Sequence, residues 1–586
     1  MKNRVLMASW SLAAIGVVIG GCGNGDRGEQ QVAQQAATGP VATAVQAEPI
    51  EPAAPATPFT AVASRAADSI NGDDMRTWIA ELSRDEMGGR GPGSEGDRMA
   101  RRYIVGELER LGYQPGAADG IWEQRFDLVG INATMPGVWS FEAGDTELDL
   151  AAGSEFIAGS GVQSETASIE NAELVFVGYG IEAPEYDWND FKGQDLGGKV
   201  LVMLNNDPDW SDDLFEGFRR LYYGRWTYKY ESAARQGAAA AIIIHTTPSA
   251  GYPWQVVQTS WTGEQFEIPA GDEPRVQVAG WVTEDAARRL ISLGGHDLDD
   301  LVAKARSSDF VPVPLGVTTS LTLENRLSRV SSANVLGLLP GSDPQLADEV
   351  VVYTAHHDHL GTAETGDGDR IYNGARDNAS GVATILAIAK AMTELPERPR
   401  RSILIAAVGA EEQGLLGAKA LAADPPVAPG RIAANINFDA GNIWGATRDI
   451  TFIGLGKSSL DDVAQTVATH QGRIVTGDQF PDKGYFYRSD QFALARIGVP
   501  AMYMKGGTDY IGRPDGWGAE QISAYTAENY HQPSDELNDE WNFDGLVQDA
   551  RLGFWCGLII ANDDSLPAWN PGDEFEAARK AALAEL

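Results

Sequence analysis

Residues Val351–Gly381 read VVYTAHHDHLGTAETGDGDRIYNGARDNASG. The stretch opens on an apolar run, Val351 to Ala355, and ends that run in His356, His357, Asp358 and His359. A Gly/Asp-rich loop leads to Gly374-Ala375-Arg376-Asp377-Asn378-Ala379-Ser380-Gly381, and an Ala-rich apolar run, Val382 to Met392, comes next. The pattern predicts strand, loop, helix. Three of the chain's seven histidines fall within four residues, each close to a carboxylate. Imidazole and carboxylate together suit a divalent transition metal, zinc above all.

An isolated His-x-Asp is more often a solvated strand end than a ligand pair, because short motifs recur by chance. Here the downstream sequence repeats the theme. Arg401 to Ala407 (RSILIAA) reads as a second buried strand and runs out at Gly409-Ala410-Glu411-Glu412-Gln413-Gly414. Ile432 to Phe438 (IAANINF) reads as a third and stops at Asp439. Open α/β sheets bind ligands beyond the carboxyl ends of their strands. Three apolar strands that each deliver carboxylates or imidazoles at that end predict one shared site.

At the amino end, residues 1–22 have the form of an export signal. Lys2 and Arg4 supply positive charge, Val5 to Ile19 is a mostly apolar core, and the segment closes on Ile19-Gly20-Gly21-Cys22. The core is short for a membrane span, which needs about 20 apolar residues. Residues 23–66 are rich in Ala, Gln, Pro and Thr and are expected to form a disordered tether. The other cysteine, Cys556, lies in the apolar run GFWCGLII and reads as a buried thiol. A net charge of −38 argues against nucleic acid or anionic membrane surfaces as partners.

The chain beyond residue 66 exceeds the size at which one core usually stops growing, about 250–300 residues. MRTWIAELS and DRMARRYIVGELERLG, flanking the Gly-rich GGRGPGSEG, carry helical periodicity, with Gly112 as a stop signal. Gln114 to Thr134 begins strand-like material. Beyond about Met135 the composition shifts to short strands, turns, aromatics and acids. Glu173 to Ile181 and Gly197 to Asp207 are β-like, and SAARQGAAAAIIIH reads as helix, Gly, strand. No metal ligands cluster there; His245 and His296 stand alone. Asn334 to Gly341 resumes the strand pattern that leads into Val351. The expected order is residues 67–139 as the first part of the catalytic domain, an insertion at 140–325, the main part at 326–563 and a helical tail at 564–586.

AHHDH, GARDNASG, GAEEQGLLGAKAL, NINFD and ENYHQPSDEL, in that order, resemble the co-catalytic zinc aminopeptidases. That family also includes glutamate carboxypeptidase-type enzymes, the transferrin receptor ectodomain and glutaminyl cyclases. The similarity runs from about Ser69 to Asp563. GYGIEAPEYDWNDFKGQDLGGKVLVM and KYESAARQGAAAAIIIH resemble the protease-associated domain that many members carry as an insertion. The ending at Cys22 resembles a bacterial lipobox, which implies acylation of that cysteine; Gly23 after it implies an outer-membrane lipoprotein rather than one kept at the inner membrane. A cleaved, unlipidated secretory signal is the alternative.

The fold implied is α/β: a mixed-sheet zinc-peptidase domain with helices on both faces, interrupted by a smaller β-rich protease-associated domain. Carried over by motif, His356 and Asp439 bind one zinc, Glu412 and His531 the other, and Asp377 bridges the two. Asp358 orients the His356 imidazole, and Glu411 is the general base. Two cations with a free carboxylate beside them suit hydrolysis by water. His357 and His359 are expected to support the site without ligating. Tyr485 and Tyr487 lie near the position where relatives place an oxyanion-stabilising tyrosine, although the register is closer to Phe486. The resemblance implies an exported two-zinc aminopeptidase acting on peptides, held to the membrane only by its lipid. A carboxypeptidase, a glutaminyl cyclase and a non-catalytic receptor-like protein are the alternatives. The insertion is expected to cover the site and to supply no ligand.

Overall fold

The structure is a computed structural model that describes residues 58–211, 214–364, 366 and 368–586. The export signal, Cys22 and most of the expected tether lie outside the described residues. Among the described residues no helix is long and apolar enough to cross a membrane.

The three predicted strands form the centre of a sheet. Val350–His356 pairs in parallel with Ser402–Val408 on one side and Ile432–Asn437 on the other. Ala501–Gly506 extends the parallel set beyond Ile432–Asn437, and Asp449–Ile453 joins it antiparallel. The opposite edge is closed by the end of Val313–Leu339, antiparallel to Ser402–Val408. The sheet is therefore mixed.

All residues of the three central strands are buried, which explains their unbroken apolar runs. Alternate side chains go to opposite faces. Val351, Tyr353, Ile403 and Ile405 share one core with the helices Gly72–Leu82, Ser380–Thr393 and Asp544–Asn562. Val350, Val352, Leu404 and Ala406 share another with Leu421 and Leu494 from the helices Leu416–Ala423 and Gln491–Arg496. Helices thus cover both faces, as expected of an α/β sheet fed by parallel strands. The predicted N-terminal helices are Gly72–Leu82 and Glu95–Arg110. The second ends where Gly112 takes φ +84°, a left-handed turn that glycine adopts without strain.

The inserted stretch has its own parallel strands, Val200–Leu204, Ala240–His245 and Val278–Thr283, with the helix Trp226–Arg235 before the second. It is not separated from the rest by a linker. Val313–Leu339 is one strand of 27 residues that crosses position 325, and it pairs antiparallel along all of Glu123–Thr134. Position 139 likewise falls inside a strand, Val138–Ala143. From Leu315 to Leu323 alternate residues of the long strand are buried; from Ala333 to Leu338 nearly all are, because both faces are then covered. Aromatic residues from the two regions also share a core. Trp139, Phe176 and Tyr228 belong to the same cluster as Phe486, Phe492, Trp569 and Phe575. The expected tail contributes the helix Glu576–Ala584, anchored where Arg579 donates to the Ile432 carbonyl at 3.0 Å.

Candidate metal centre and cleft

At the carboxyl ends of the central strands the structure gathers the side chains that the motifs single out. His356 closes its strand, and its Nε2 lies 3.3 Å from Asp377 Oδ1 and 3.8 Å from Asp439 Oδ1. On the far side of Asp377, Oδ2 lies 3.7 Å from His531 Nε2, which is 2.9 Å from Glu412 Oε2. Each oxygen of one carboxylate therefore faces a different imidazole. His356, Asp377 and Glu412 each offer a ligand atom within 4.8 Å of the others. Among the described residues His531 Nε2 pairs only with these two carboxylates, and it is a buried atom facing both. Lone pairs that converge without bonding one another fit divalent cations, and the donor set of imidazole and carboxylate suits zinc.

The backbone that presents these groups is itself held by side chains. Asp535, four residues past His531, accepts from the amides of Arg376 and Asp377 at 3.2 and 3.0 Å. Asn378 donates to the Phe438 carbonyl at 3.0 Å, tying this turn to Asp439. Asp358 acts differently from the expectation. Its carboxylate is 3.8 Å from His356 Nδ1, beyond hydrogen-bond range, while its backbone carbonyl is 3.3 Å from that nitrogen. The carboxylate accepts instead from the amides of Glu411 and Glu412, at 3.0 and 3.3 Å. The turn after Val408 points two amides toward it, and they outcompete the imidazole.

The extra histidines have separate jobs. His359 Nδ1 is 2.6 Å from Glu412 Oε1 and fixes that carboxylate. His357 Nε2 is 3.0 Å from Asp97 Oδ1, and Asp97 also accepts from Arg101 Nε at 3.0 Å, so His357 ties a helix to the sheet. His245, in the insertion, hydrogen-bonds the Tyr252 carbonyl at 3.1 Å and joins no metal-ligand group among the described residues.

Electrostatics divide the two adjacent glutamates. Burial raises the Glu411 carboxyl well above the usual range, and Glu412, Asp490 and Asp439 reinforce this against the pull of His356. Burial acts on Glu412 too, but His531 and His359 overcome it and hold that carboxyl well below the usual range. Paired carboxyls pushed apart by their surroundings carry different roles in proton transfer and ligation. At His356, burial alone would depress the imidazole; Glu411, Asp377 and Asp439 reverse this and favour positive charge there. Asp490, buried with neither carboxylate oxygen hydrogen-bonded, is pushed up to about 8 by burial and by neighbouring carboxylates.

The cluster opens on a cleft with about 120 Å³ of internal space. Asp377, Glu411, Glu412 and Asp439 form one wall. Tyr485 lines the cleft, but Tyr487 does not: its hydroxyl donates to Glu574 at 2.7 Å within the aromatic core. Two residues apart in a tight helical turn, the rings point in different directions. The motifs alone missed four contributors. Tyr530 lines the cleft with its ring 4.0 Å from that of His531. Ser260, from the insertion, places its Oγ 2.8 Å from His531 Nδ1. Arg90 donates to the carbonyls of His357, Asn373 and Gly374 at 2.7, 2.6 and 2.9 Å. Asp490 is the fourth. Only Tyr530 had a local signal, its place beside His531 in ENYHQ.

Imidazoles and carboxylates converging beyond the carboxyl ends of parallel strands define a metallohydrolase type of site. Residues 334–551, which include Glu411 and all five expected ligands, match Peptidase family M28. Over this segment the chain is similar to that peptidase family. Aminopeptidase NAALADL1 of Rattus norvegicus is 34% identical over 148 residues, 23% of this chain and 18% of the relative. Leupeptin-inactivating enzyme 1 of Streptomyces exfoliatus is 25% identical over 293 residues, 48% of this chain and 60% of that one. The matches span less than two thirds of these curated relatives. Among solved structures, the aminopeptidase from Aneurinibacillus sp. strain AM-1 shares the fold with a TM-score of 0.50 at 20% identity, covering 86% of this chain and 97% of that one.

Proposed function

We propose that the chain is an exported two-zinc exopeptidase that removes N-terminal residues from peptides. The observation that carries this reading is the opposite treatment of Glu411 and Glu412 beside a carboxylate shared by two imidazoles. His356 and Asp439 would hold one zinc, His531 and Glu412 the other, and Asp377 both. When bound, the two ions supply Lewis-acid polarisation of the scissile carbonyl and make water more acidic. Glu411 borders the cleft, and its raised proton affinity suits a group that takes a proton from water and gives it to the leaving amine. Glu412, held ionised by two histidines, suits ligation. The acidic wall also offers the substrate's ammonium group a partner. The full ligand set with its base favours a two-metal peptidase over a receptor-like protein or a one-zinc glutaminyl cyclase. The insertion, read as a protease-associated domain, supplies Gly251 and Tyr252 to the cleft and narrows what can enter. Cys22 is the proposed lipid anchor to the outer membrane.

Aminoacyl-p-nitroanilides, assayed beside C-terminal substrates with zinc measured on the same preparation, test the reading. Glu411→Gln should keep both zincs and lose about 10²–10⁴-fold in kcat. Glu412→Gln should lose zinc and regain some activity when zinc is added in excess. If Glu411→Gln loses zinc while Glu412→Gln stays loaded and inactive, the roles are reversed. Wild-type activity in both variants would end the metallohydrolase reading.

A further inference from the structure

The two halves of the ligand cluster are supported by different parts of the chain. His356 and Asp439 are held from the central sheet and its loops. His356 Nδ1 faces the Asp358 carbonyl at 3.3 Å, and Asp439 Oδ2 accepts from the Tyr503 hydroxyl at 3.0 Å. Ala440, next to Asp439, has φ +56°, and its amide donates to Asn378 Oδ1 at 3.2 Å. All of these partners lie outside residues 140–325. His531 and Glu412 are supported differently, because one short segment of the insertion, residues 260–266, reaches the surroundings of both.

Ser260 ends the helix Trp254–Ser260 and places its Oγ 2.8 Å from His531 Nδ1. When Nε2 serves a cation, Nδ1 carries the ring proton and donates to that oxygen, which fixes the ring. His531 itself has φ +59°, a left-handed conformation that a histidine rarely adopts. Further along the segment, the Phe266 amide donates to Gln413 Oε1 at 2.9 Å. Phe266 also packs against the cluster of Leu128, Ala410 and Leu416, the last two flanking the turn that carries Glu411 and Glu412. That turn runs between Ala410 at φ +56° and Leu415 at φ +64°, two further non-glycine residues in the left-handed region. Such conformations persist only where their neighbours over-determine them.

The segment is firmly seated. Within the insertion, Trp254 Nε1 and Gln258 Nε2 both donate to the Gly153 carbonyl, at 2.8 and 3.0 Å. The Trp261 ring meets those of Trp226 and Trp281 edge-on, at 5.2 and 6.1 Å between centres. On the other side, Glu264–Glu267 pairs antiparallel with residues 129–132 of the strand Glu123–Thr134. A seat fixed in this way can hold an imidazole and a turn at a set distance from each other.

We propose that Ser260 and Gln413 are positioning residues that make only one of the two metal positions, that of His531 and Glu412, dependent on the insertion. The position at His356 and Asp439 fills without their help. This inference rests on the two-metal reading above and divides its two sites into one built by the sheet and one completed by the insertion.

Graded removal of zinc from the loaded full chain by a competing chelator, with bound metal counted at each step, tests it. Wild type should hold two zincs. Ser260→Ala and Gln413→Met should each weaken one of them by about 10–100-fold and leave the other unchanged. Ser260→Thr, which keeps the hydroxyl, should restore most of the lost affinity. If Gln413→Met does not fold, the two Ser260 variants decide. Equal weakening of both zincs would mark a general loss of structure and overturn the proposal, as would wild-type affinity for both zincs in Ser260→Ala. A wild type that binds fewer than two zincs when zinc is in excess would sink the two-metal reading itself, and this inference with it.

Discussion

The contacts made by Asp358, Ser260 and Asp97 show how single residues hold the centre together. Asp358 grips the amides of Glu411 and Glu412, so an amide in its place would turn its own N–H groups toward one of those donors. Asp358→Asn is therefore expected to misplace Glu412 and weaken zinc binding by about 10–100-fold, measured by competition with a chelator. Ser260→Ala removes the partner of His531 Nδ1 without opening a large cavity. Zinc affinity should fall by about 10-fold or more with the unfolding temperature nearly unchanged, and wild-type affinity would refute a positioning role. Asp97 is a matter of stability. Burial pushes its carboxyl up, but His357 and Arg101 hold it below the usual range. A depressed folded-state value means stability that is present above the unfolded value and lost as pH falls through the folded one. Stability should thus decline on acidification below about pH 4, and Asp97→Asn should flatten that decline. At pH 7 the same variant should lose about 3–5 kcal/mol, since Arg101 and His357 stay buried. Urea unfolding at both pH values checks both expectations.

Secondary-structure elements were legible where burial imposes a simple period. Unbroken apolar runs marked the three central strands, and 3.6-residue spacing marked Gly72–Leu82 and Glu95–Arg110. Connecting turns were not legible, because their geometry comes from distant partners. Arg90 sits in a glycine-rich loop, yet it is fully buried and fastens that loop to the His357 and Gly374 backbones. Arg90→Lys cannot reproduce the fork that reaches the carbonyls of Leu82, His357, Asn373 and Gly374 together. It should destabilise the chain and lower zinc affinity in parallel, whereas Arg98→Lys on the exposed face of the next helix should change neither. Within the sheet, Ile405→Ala should cost about 2–5 kcal/mol, because the side chain is wholly buried between strand and helices. Its metal content at moderate temperature should stay normal.

For the whole molecule, the long strand Val313–Leu339 and the shared aromatic cluster bind the insertion to the rest. A chain lacking residues 140–325 would expose Phe486, Phe492 and Phe575 and lose Ser260. It is expected to aggregate or to bind zinc poorly; a soluble, fully zinc-loaded truncation would show that the insertion is dispensable to the fold. At the other end, Cys22→Ser should release the exported protein from membranes, and a wild type found wholly soluble with an unlipidated N-terminus would rule the anchor out. The sequence by itself determined the central sheet, the order of the site motifs and the chemical type of the cluster. Those features arise from local periodicity and from residue types whose chemistry does not depend on their neighbours. Tertiary structure alone decided that Asp358 serves two amides, that Tyr487 turns away from the cleft, and that Ser260 reaches His531 across 271 positions. Each of these depends on distances between segments remote in the chain, where a side chain's partner is set by packing and by competition among donors rather than by its own sequence context.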